Sequence, residues 1–183
     1  MLLANSNFGS ARAMLQSFLF ELGRKYVRLE EQELRLELIS SLRAFNARDE
    51  KVVLIVDEAE HLTAEILEEI RNLANLSDSG QPLLRVVLSG QPQLEERLLE
   101  PDMTALNQRI RSQLYLQPLT RAESINYVAD QIQICGQISE LVIEDAAMDL
   151  MVHAADGNPR CLNQLADHSL LLAYMAGERP VSY

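Results

Sequence analysis

The feature that most constrains this chain is an apolar run of five residues, Val52–Val56, that ends directly in two acids, Asp57 and Glu58. The run is mostly β-branched and does not alternate with polar residues, which predicts a strand covered on both faces in a parallel sheet. Open α/β folds bind ligands at the carboxyl edge of such a sheet, where the two acids would lie. Asp57 is therefore a candidate ligand of Mg²⁺, and Glu58 is a candidate for polarising a water that attacks a phosphate. The alternative is a strand that simply ends in a solvated acidic turn.

Strand and helix patterns alternate around this run. Leu2–Ala4 predicts a first strand, Arg85–Ser89 a further buried strand, and Leu114–Leu116 a last one. The polar stretch Ser77–Pro82 predicts a loop. Helices are predicted where apolar residues recur at helical spacing, over Met14–Leu22, Leu34–Phe45 and Ile66–Ala74, near Leu94–Leu99 and around Leu106–Arg111. Strands and helices in this order predict the α/β class, with a parallel sheet covered by helices.

Only helices are predicted in the last third of the chain. Thr120-Arg121-Ala122-Glu123 has the form of a capping box, in which the Thr hydroxyl and the Glu carboxylate each satisfy a backbone N–H. A second helix is expected over 144–154. A third should run from Asn158-Pro159 to Gly177, with Asn as the cap and Pro in the first helical position. Two domains are thus predicted, an α/β body over 1–118 and a helical subdomain over 119–183.

The composition limits the classes of partner. The chain carries 27 acidic and 16 basic residues, a formal net charge of -11. Because nucleic-acid binding depends on Lys and Arg neutralising phosphates, nucleic acid is not a favoured partner, although a local basic patch is compatible with the composition. No apolar run approaches the roughly 20 residues that cross a bilayer, and the first residues lack a signal-peptide pattern. Cys135 and Cys161 are expected to be core thiols in a reduced compartment, so the cytoplasm is the expected location.

Five short motifs follow one another along the chain: Val-Asp-Glu-Ala-Glu-His-Leu from Val56, Leu-Ala-Asn-Leu from Leu73, Val-Val-Leu-Ser-Gly-Gln-Pro-Gln-Leu from Val86, Leu-Asn-Gln-Arg-Ile from Leu106, and Gly-Asn-Pro-Arg from Gly157. In this order and spacing the chain resembles the AAA-type ATPases of the general secretion pathway protein A kind, which are related to origin-recognition-type ATPases. The resemblance covers nearly the whole chain. It implies a P-loop NTPase body of the AAA type followed by a helical lid, with ATP and Mg²⁺ as cofactors and the two acids as the Walker B pair.

The resemblance assigns roles to further residues. Gln91 matches the sensor 1 residue that touches the γ-phosphate or the attacking water, and Ser89 is the second choice. Arg109 matches the arginine finger that reaches a neighbouring subunit's site, with Arg111 as a competitor; the alternative for either is a surface arginine. Arg160 matches sensor 2 on the lid, and its place in the first turn of a helix independently favours an anion there.

One element of the family pattern is missing from the sequence. The phosphate-binding loop requires G-x-x-x-x-G-K-[ST], whose backbone amides and Lys hold the phosphates, and no such string occurs here. The resemblance implies that this loop and its strand precede the second strand of the sheet, near which the sequence begins. The fold expected is therefore an AAA-type body without its first strand and P-loop, with weak or no binding of ATP and Mg²⁺ by this chain alone. A truncated gene model, a deliberately shortened sequence and a degenerate paralogue all fit.

The leading hypothesis is an ATPase segment whose intact form couples ATP hydrolysis to the remodelling or assembly of a protein partner, as a homo-oligomer. Secretion and cell-envelope assembly are the setting that the resemblance implies. Two alternatives stay open: a non-catalytic protein-interaction module with a vestigial nucleotide site, and an ATPase of the DNA transposition or recombination type. A helicase core, suggested by Asp57-Glu58-Ala59-Glu60, fits less well with so short and acidic a chain.

Overall fold

The structure is a computed structural model that describes residues 2–3 and 8–182. The chain divides into two compact units, the first within residues 1–113 and the second within 114–183. The strands are β1 (Leu2–Leu3), β2 (Val52–Val56), β3 (Ser77–Asp78), β4 (Gln81–Pro82) and β5 (Leu84–Leu88). The helices are α1 (Ala11–Glu21), α2 (Glu31–Asn46), α3 (Ala64–Ala74), α4 (Pro92–Leu98), α5 (Thr104–Asn107), α6 (Arg121–Ile134), α7 (Asp145–Ala155) and α8 (Pro159–Ala176).

The first unit contains a parallel sheet in the order β1-β2-β5. β2 lies in the middle: Val56 is opposite Leu3 on one side and Leu88 on the other. Parallel neighbours need long connections, and helices α1 and α2 lie between β1 and β2 in the chain, while α3 lies between β2 and β5. The predicted α/β class with a parallel sheet is confirmed. Ala4, which was included in the predicted first strand, lies outside the described residues.

The two long strands of this sheet are covered better on one face than on the other. In β2, burial alternates, with Val53 and Ile55 only half-buried between fully covered neighbours. In β5, Arg85 is exposed and the side chain of Val87 is 48% exposed. The prediction that both strands are covered on both faces is therefore wrong. An unbroken apolar run shows that both faces of a strand can be buried. The elements packed on the sheet decide which face is in fact covered.

Helices α1, α2 and α3 supply most of the core of the first unit. Two of them begin at side-chain caps: the Ser10 hydroxyl accepts a hydrogen bond from the Ala13 N–H (3.2 Å), and the Thr63 hydroxyl accepts one from the Ile66 N–H (3.4 Å). Full burial of one large apolar side chain contributes about 1.5–3 kcal/mol, so the shared core fixes the helices against β2. The largest fully buried side chains of this core are Phe18, Met14, Leu15, Leu19, Leu34, Leu38, Leu42, Leu54, Leu62, Ile66, Leu67 and Ile70.

A buried carboxylate also joins α2 to α3. Glu69 is 7% exposed. Its two oxygens accept hydrogen bonds from Arg35 Nε (2.7 Å) and Nη2 (3.0 Å). The hydrogen bond to Glu69 is the main reason why the pKa of Arg35 is raised above its ordinary value. A bidentate pair of this kind satisfies the buried charge, which would otherwise be costly to bury.

Two connecting segments of the first unit differ from the predictions. Ser77–Pro82, predicted as a loop, contains the antiparallel pair β3–β4, with Asp78 opposite Gln81. Ser79 and Gly80 form its turn with φ of 50° and 79°, the left-handed values that short hairpins require. The helix predicted around Leu106–Arg111 is also displaced. The observed helix α5 ends at Asn107, so Arg109 and Arg111 follow the helix and do not belong to it. It is preceded by a 3₁₀ turn over Pro101–Met103.

The strand predicted at Leu114–Leu116 is wrong. No strand is assigned to this segment, and its three side chains are 92%, 62% and 100% exposed. A strand exists only through hydrogen bonds to a neighbouring strand, and β1, β2 and β5 make up the parallel sheet of the described residues. Apolar composition alone therefore did not suffice to order this segment as a strand.

The second unit consists of three helices with their own core. Its capping box is confirmed: the Thr120 hydroxyl accepts from the Glu123 N–H (3.3 Å), and a Glu123 carboxylate oxygen accepts from the Thr120 N–H (2.8 Å). The predicted cap of the last helix is confirmed too, since the Asn158 carbonyl oxygen accepts from the Arg160 and Cys161 N–H groups. The helices enclose a core of Val128, Ile132, Ile143, Ala147, Met148, Met151, Val152, Ala155, Leu162 and Val181.

The expectation that both cysteines are core thiols is wrong for one of them. Cys135 is exposed and caps the end of α6, whereas Cys161 is half-buried and packs against the core of the second unit. Across the described part of the chain, none of the helices combines the length and apolar character that a membrane span needs.

Candidate functional site

The candidate site lies where β2 and β5 end side by side in the first unit. The ladder between these strands continues past their ends: the Ser89 N–H donates to the Val56 carbonyl (2.8 Å), and the Ala59 N–H donates to the Ser89 carbonyl (2.9 Å). These two bonds hold the turn after β2 against the turn after β5. The acids Asp57 and Glu58 and the polar residues that follow β5 are thereby brought to one edge of the sheet, as predicted from parallel strands.

Asp57 is oriented by two hydrogen bonds to the same oxygen. The Ser89 hydroxyl donates to Asp57 Oδ1 (2.9 Å), and the Glu58 N–H donates to Oδ1 as well (3.0 Å). The residue is exposed, and no donor among the described residues reaches Oδ2. Ser89, the second choice for the polar sensor on sequence grounds, is thus the residue that touches Asp57. A carboxylate oriented in this way fits a hard cation such as Mg²⁺, which binds through one or two carboxylates together with substrate phosphates.

Glu58 adopts an unusual backbone conformation at this edge. Its φ and ψ are 52° and 39°, in the left-handed region, directly before a 3₁₀ turn over Ala59–His61. A non-glycine residue pays about 1–2 kcal/mol to be there, and strain of this kind concentrates at functional positions. Its side chain is exposed. The conformation turns the chain sharply after β2, so that Glu58 follows Asp57 at the sheet edge while Ala59 returns to the core.

The turn after β5 makes a further contact that the sequence did not suggest. Gln91 precedes α4 as its N-cap residue, and its backbone N–H donates to Glu60 Oε2 at 3.3 Å. The side chain of Glu60 is only 6% exposed. In the sequence, Glu60 is one more acid after Asp57 and Glu58, and its burial depends on α4 packing beside it. The exposed Gln91 side chain lies at the same edge as Ser89, and its contact with phosphate or water stays a prediction.

The candidate arginines are exposed. Arg109 and Arg111 follow α5 in the first unit, and neither forms a salt bridge with any described residue. Arg160 lies in the first turn of α8 in the second unit, where Asn158 accepts from its backbone N–H (2.9 Å) and its side chain is likewise free of ion pairs with described residues. Guanidinium groups without an ion pair among the described residues are suited to an external anion. Their roles as finger and sensor 2 remain predictions.

The second unit has a concave region of its own. A cavity of about 240 Å³ lies between the start of α6 and the end of α7. The hydroxyl of Ser124, a residue with no exposed surface, lies in its wall without a hydrogen-bond partner among the described residues. Arg160 is not among the residues that line it. Within the described ranges there is no cluster of three or more His, Cys, Asp or Glu that could hold a metal ion.

This chain belongs among the AAA-type P-loop NTPases, because a family model matches it and solved structures of that kind share its fold. Residues 1–98 match the model of the family described as AAA domain, and the chain belongs to that family. It is similar to General secretion pathway protein A of Aeromonas hydrophila, with 33% identity over 135 residues. That alignment covers 74% of this chain and 24% of the relative, so the chain spans a minor part of the relative's length.

Solved structures agree on the fold. Cdc6p of Pyrobaculum aerophilum has a TM-score of 0.71 at 17% identity, covering 94% of this chain and 47% of that one. The ORC2 protein of Aeropyrum pernix in its ADP form has a TM-score of 0.72 at 14% identity, covering 100% and 49%. The Thermotoga maritima RuvB Holliday junction branch migration motor has a TM-score of 0.56 at 19% identity, covering 99% and 57%. At such identities the likeness concerns the fold alone.

Proposed function

We infer that this chain is the hydrolysis half of a cytoplasmic AAA-type ATPase, with residues 1–118 as part of the ATPase body and 119–183 as its lid. The observation that carries this inference is the hydrogen bond from the Ser89 hydroxyl to Asp57 Oδ1, which joins the ends of β2 and β5; Oδ2 accepts no hydrogen bond from the described residues. A solvated acidic turn, the alternative, would not need its aspartate oriented by a residue 32 positions away. The family supports ATP as the ligand, and the ADP form of the ORC2 protein shows a nucleotide in a protein of this fold.

The residues of this chain then divide the work of phosphoryl transfer. Asp57 would hold Mg²⁺, which offsets the charge of the phosphates when bound. Glu58 accepts a proton from the attacking water, and Gln91 orients that water or the γ-phosphate. Arg109, from a neighbouring copy, and Arg160, from the lid, bring positive charge to the phosphates. Because the chain contains no G-x-x-x-x-G-K-[ST] string, these residues alone give weak affinity for ATP.

The proposal predicts that Glu58→Gln abolishes ATP hydrolysis but preserves ATP binding. Glutamine keeps the size of the side chain and cannot act as a base, so kcat should fall roughly 10²–10⁴-fold. Hydrolysis is best measured on the full-length protein, and binding by calorimetry with Mg-ATP. The matched control is Glu65→Gln, an exposed glutamate in the first turn of α3. Turnover of Glu58→Gln equal to that of the control would refute the role of Glu58.

We propose further that hydrolysis drives the remodelling or assembly of a protein partner by a homo-oligomer. The support is the similarity to General secretion pathway protein A, whose name places that relative in secretion. An arginine finger acts on a neighbouring subunit, so Arg109→Ala should lower the turnover of a pure variant and recover part of it on mixing with Glu58→Gln subunits, whose fingers are intact. The absence of any recovery in mixed assemblies would argue against a shared site.

A second candidate, a non-catalytic interaction module, is favoured by one observation. The described chain exposes several large apolar side chains on α8, including Leu172 at 66% and Met175 at 75%, and exposed apolar surface is a feature of partner-binding proteins. Calorimetry with Mg-ATP on the full-length protein separates the two functions. Micromolar binding favours the ATPase, whereas no binding alongside capture of a partner favours the interaction module.

A further inference from the structure

Glu60 combines burial, a contact with the turn after β5 and an unsatisfied oxygen. Its Oε2 accepts from the Gln91 N–H (3.3 Å), and its own carbonyl accepts from Arg97 Nη1 (3.3 Å) on α4. Its Oε1 is buried and has no hydrogen-bond partner among the described residues; His61 Nε2, at 3.9 Å, is beyond hydrogen-bond distance. A buried carboxylate with one unsatisfied oxygen is expensive, so an apolar residue would serve packing better at this position.

Gly90 lies close to the same carboxylate oxygen of Glu60 that accepts from the Gln91 N–H. A Cβ built on Gly90 would collide with Glu60 Oε2 and would also lie 3.1 Å from Leu94 Cδ2. Gly90 does not have a positive φ, so a larger residue here is opposed by space and not by backbone conformation, and the end of the Glu60 side chain would have to move. The carboxylate therefore lies directly against the backbone of the turn that carries Ser89 and Gln91.

We propose that Glu60 is a positioning residue for hydrolysis, which rests on the proposed function of this edge. By holding the Gln91 N–H, it fixes the turn Ser89–Gln91 relative to Asp57, so that the Ser89 hydroxyl stays on the metal-binding carboxylate and the Gln91 side chain stays beside it. The ladder bonds of Ser89 hold one end of this turn, and Glu60 holds the other. The role is distinct from that of Glu58, whose side chain is exposed and acts on the water.

Three variants test the position of the turn through its effect on turnover. Glu60→Ala removes the acceptor, and a displacement of the turn by a fraction of an ångström to one ångström should lower kcat by roughly 10–100-fold while the KM for ATP changes little. Glu60→Gln keeps an acceptor oxygen and should restore most of kcat. The control Glu96→Gln alters an exposed glutamate of α4 and should behave as wild type.

Gly90→Ala tests the close approach. Alone, it should lower kcat because the methyl group displaces the carboxylate. In the Glu60→Ala background its additional effect should be much smaller, since the colliding oxygen is gone and only the contact with Leu94 must relax. Additive losses in the double variant would show that the two residues do not act through this contact, and would overturn the proposal.

Hydrogen exchange separates a failure of this proposal from a failure of the proposed function. Exchange of the Gln91 amide should quicken in Glu60→Ala and not in Glu96→Gln, whether or not the protein hydrolyses ATP. Unchanged exchange at Gln91 overturns the positioning role even in an active enzyme. Faster exchange with unchanged kcat overturns its catalytic consequence. Should the wild-type, full-length protein hydrolyse no ATP, the function of the site is refuted, and with it the consequence of Glu60 for catalysis.

Discussion

Single residues set the geometry of the second unit, and Gly157 shows how. It has φ of +74°, and a Cβ there would collide with the Leu119 carbonyl oxygen and lie 2.8 Å from the Leu119 nitrogen. Its own carbonyl accepts from the Leu119 N–H at 2.9 Å. The glycine of Gly-Asn-Pro-Arg therefore has two physical requirements, a left-handed backbone and direct contact with another backbone segment. Because Gly157 lies just before Arg160, these two requirements also fix where the helix of Arg160 begins.

Gly157→Ala should destabilise the second unit by roughly 2–4 kcal/mol, the sum of a left-handed backbone penalty and the displacement of Leu119. Gly136→Ala is the matched control, since Gly136 has φ of +79° and nothing within 4 Å of its built Cβ. It should cost only the backbone penalty of about 1–2 kcal/mol. Urea denaturation of the two variants measures the difference. Equal losses would mean that Leu119 yields without cost.

At this scale the sequence predicted the site in part. Asp57 and Glu58 could be predicted as a pair at the sheet edge because an apolar strand directly precedes them. Ser89 was only the second choice after Gln91. The hydrogen bond from Ser89 to Asp57 could not be predicted without knowing the register of β2 and β5. Glu60 was missed because an acid in a run of acids resembles a solvated turn, and its burial depends on Gly90 and α4.

Helices and strands were predicted well where an apolar stripe and a capping residue agree. They were predicted poorly where the structure depends on pairing with another strand. The helix after Thr63 and the helix between Asn158 and Gly177 have both signals and are confirmed. Leu114–Leu116 had composition alone and no strand beside it among the described residues. The β3–β4 hairpin had the opposite problem, since its strands are polar and its signal was the turn at Ser79-Gly80. The pattern of apolar residues predicts which side chains a segment can bury. Whether the segment pairs as a strand depends on the strand next to it.

The start of α6 should be sensitive to acid. The Thr120 N–H, followed by the Thr120 hydroxyl, donates to the Glu123 carboxylate and holds its pKa below the ordinary value. A group whose folded-state pKa is lowered stabilises the fold above its unfolded pKa, and that contribution is lost as the pH falls through the folded pKa. Amide protection factors in the first turn of α6 should therefore fall on acidification below the ordinary glutamate pKa of about 4.3.

Glu123→Gln provides the comparison for this prediction. Glutamine can accept the Thr120 N–H but does not titrate, so protection in the first turn of α6 should become insensitive to acid in the variant. The start of α7 is an internal reference, because its N-cap residue Glu144 makes no side-chain capping bond. The same acid sensitivity in the variant and the wild type would assign the effect to other carboxylates.

The whole molecule is defined by its charge and by two separate cores. The chain has a net charge of -11, and the candidate arginines Arg109, Arg111 and Arg160 are exposed. The relative is much longer than this chain, which aligns with 24% of it, so the partners of the relative do not carry over to this chain. The overall charge still bears on which class of partner this part of the protein can attract, because long-range fields act on association.

Duplex DNA should not bind this chain, which separates the protein-remodelling function from the DNA transposition or recombination alternative. Non-specific DNA binding depends on released counterions and shows Kd values of roughly 10⁻⁴–10⁻⁶ M at physiological salt, and a net charge of -11 opposes it. Fluorescence anisotropy of a labelled mixed-sequence duplex should show no saturable change in that range, with or without Mg-ATP. Lowering the salt provides the control, because a hidden basic patch would then bind with log K falling linearly as log salt rises. Such a slope would indicate a basic patch large enough to support the DNA alternative. Arg109→Ala and Arg111→Ala would then show whether the arginines after α5 belong to that patch.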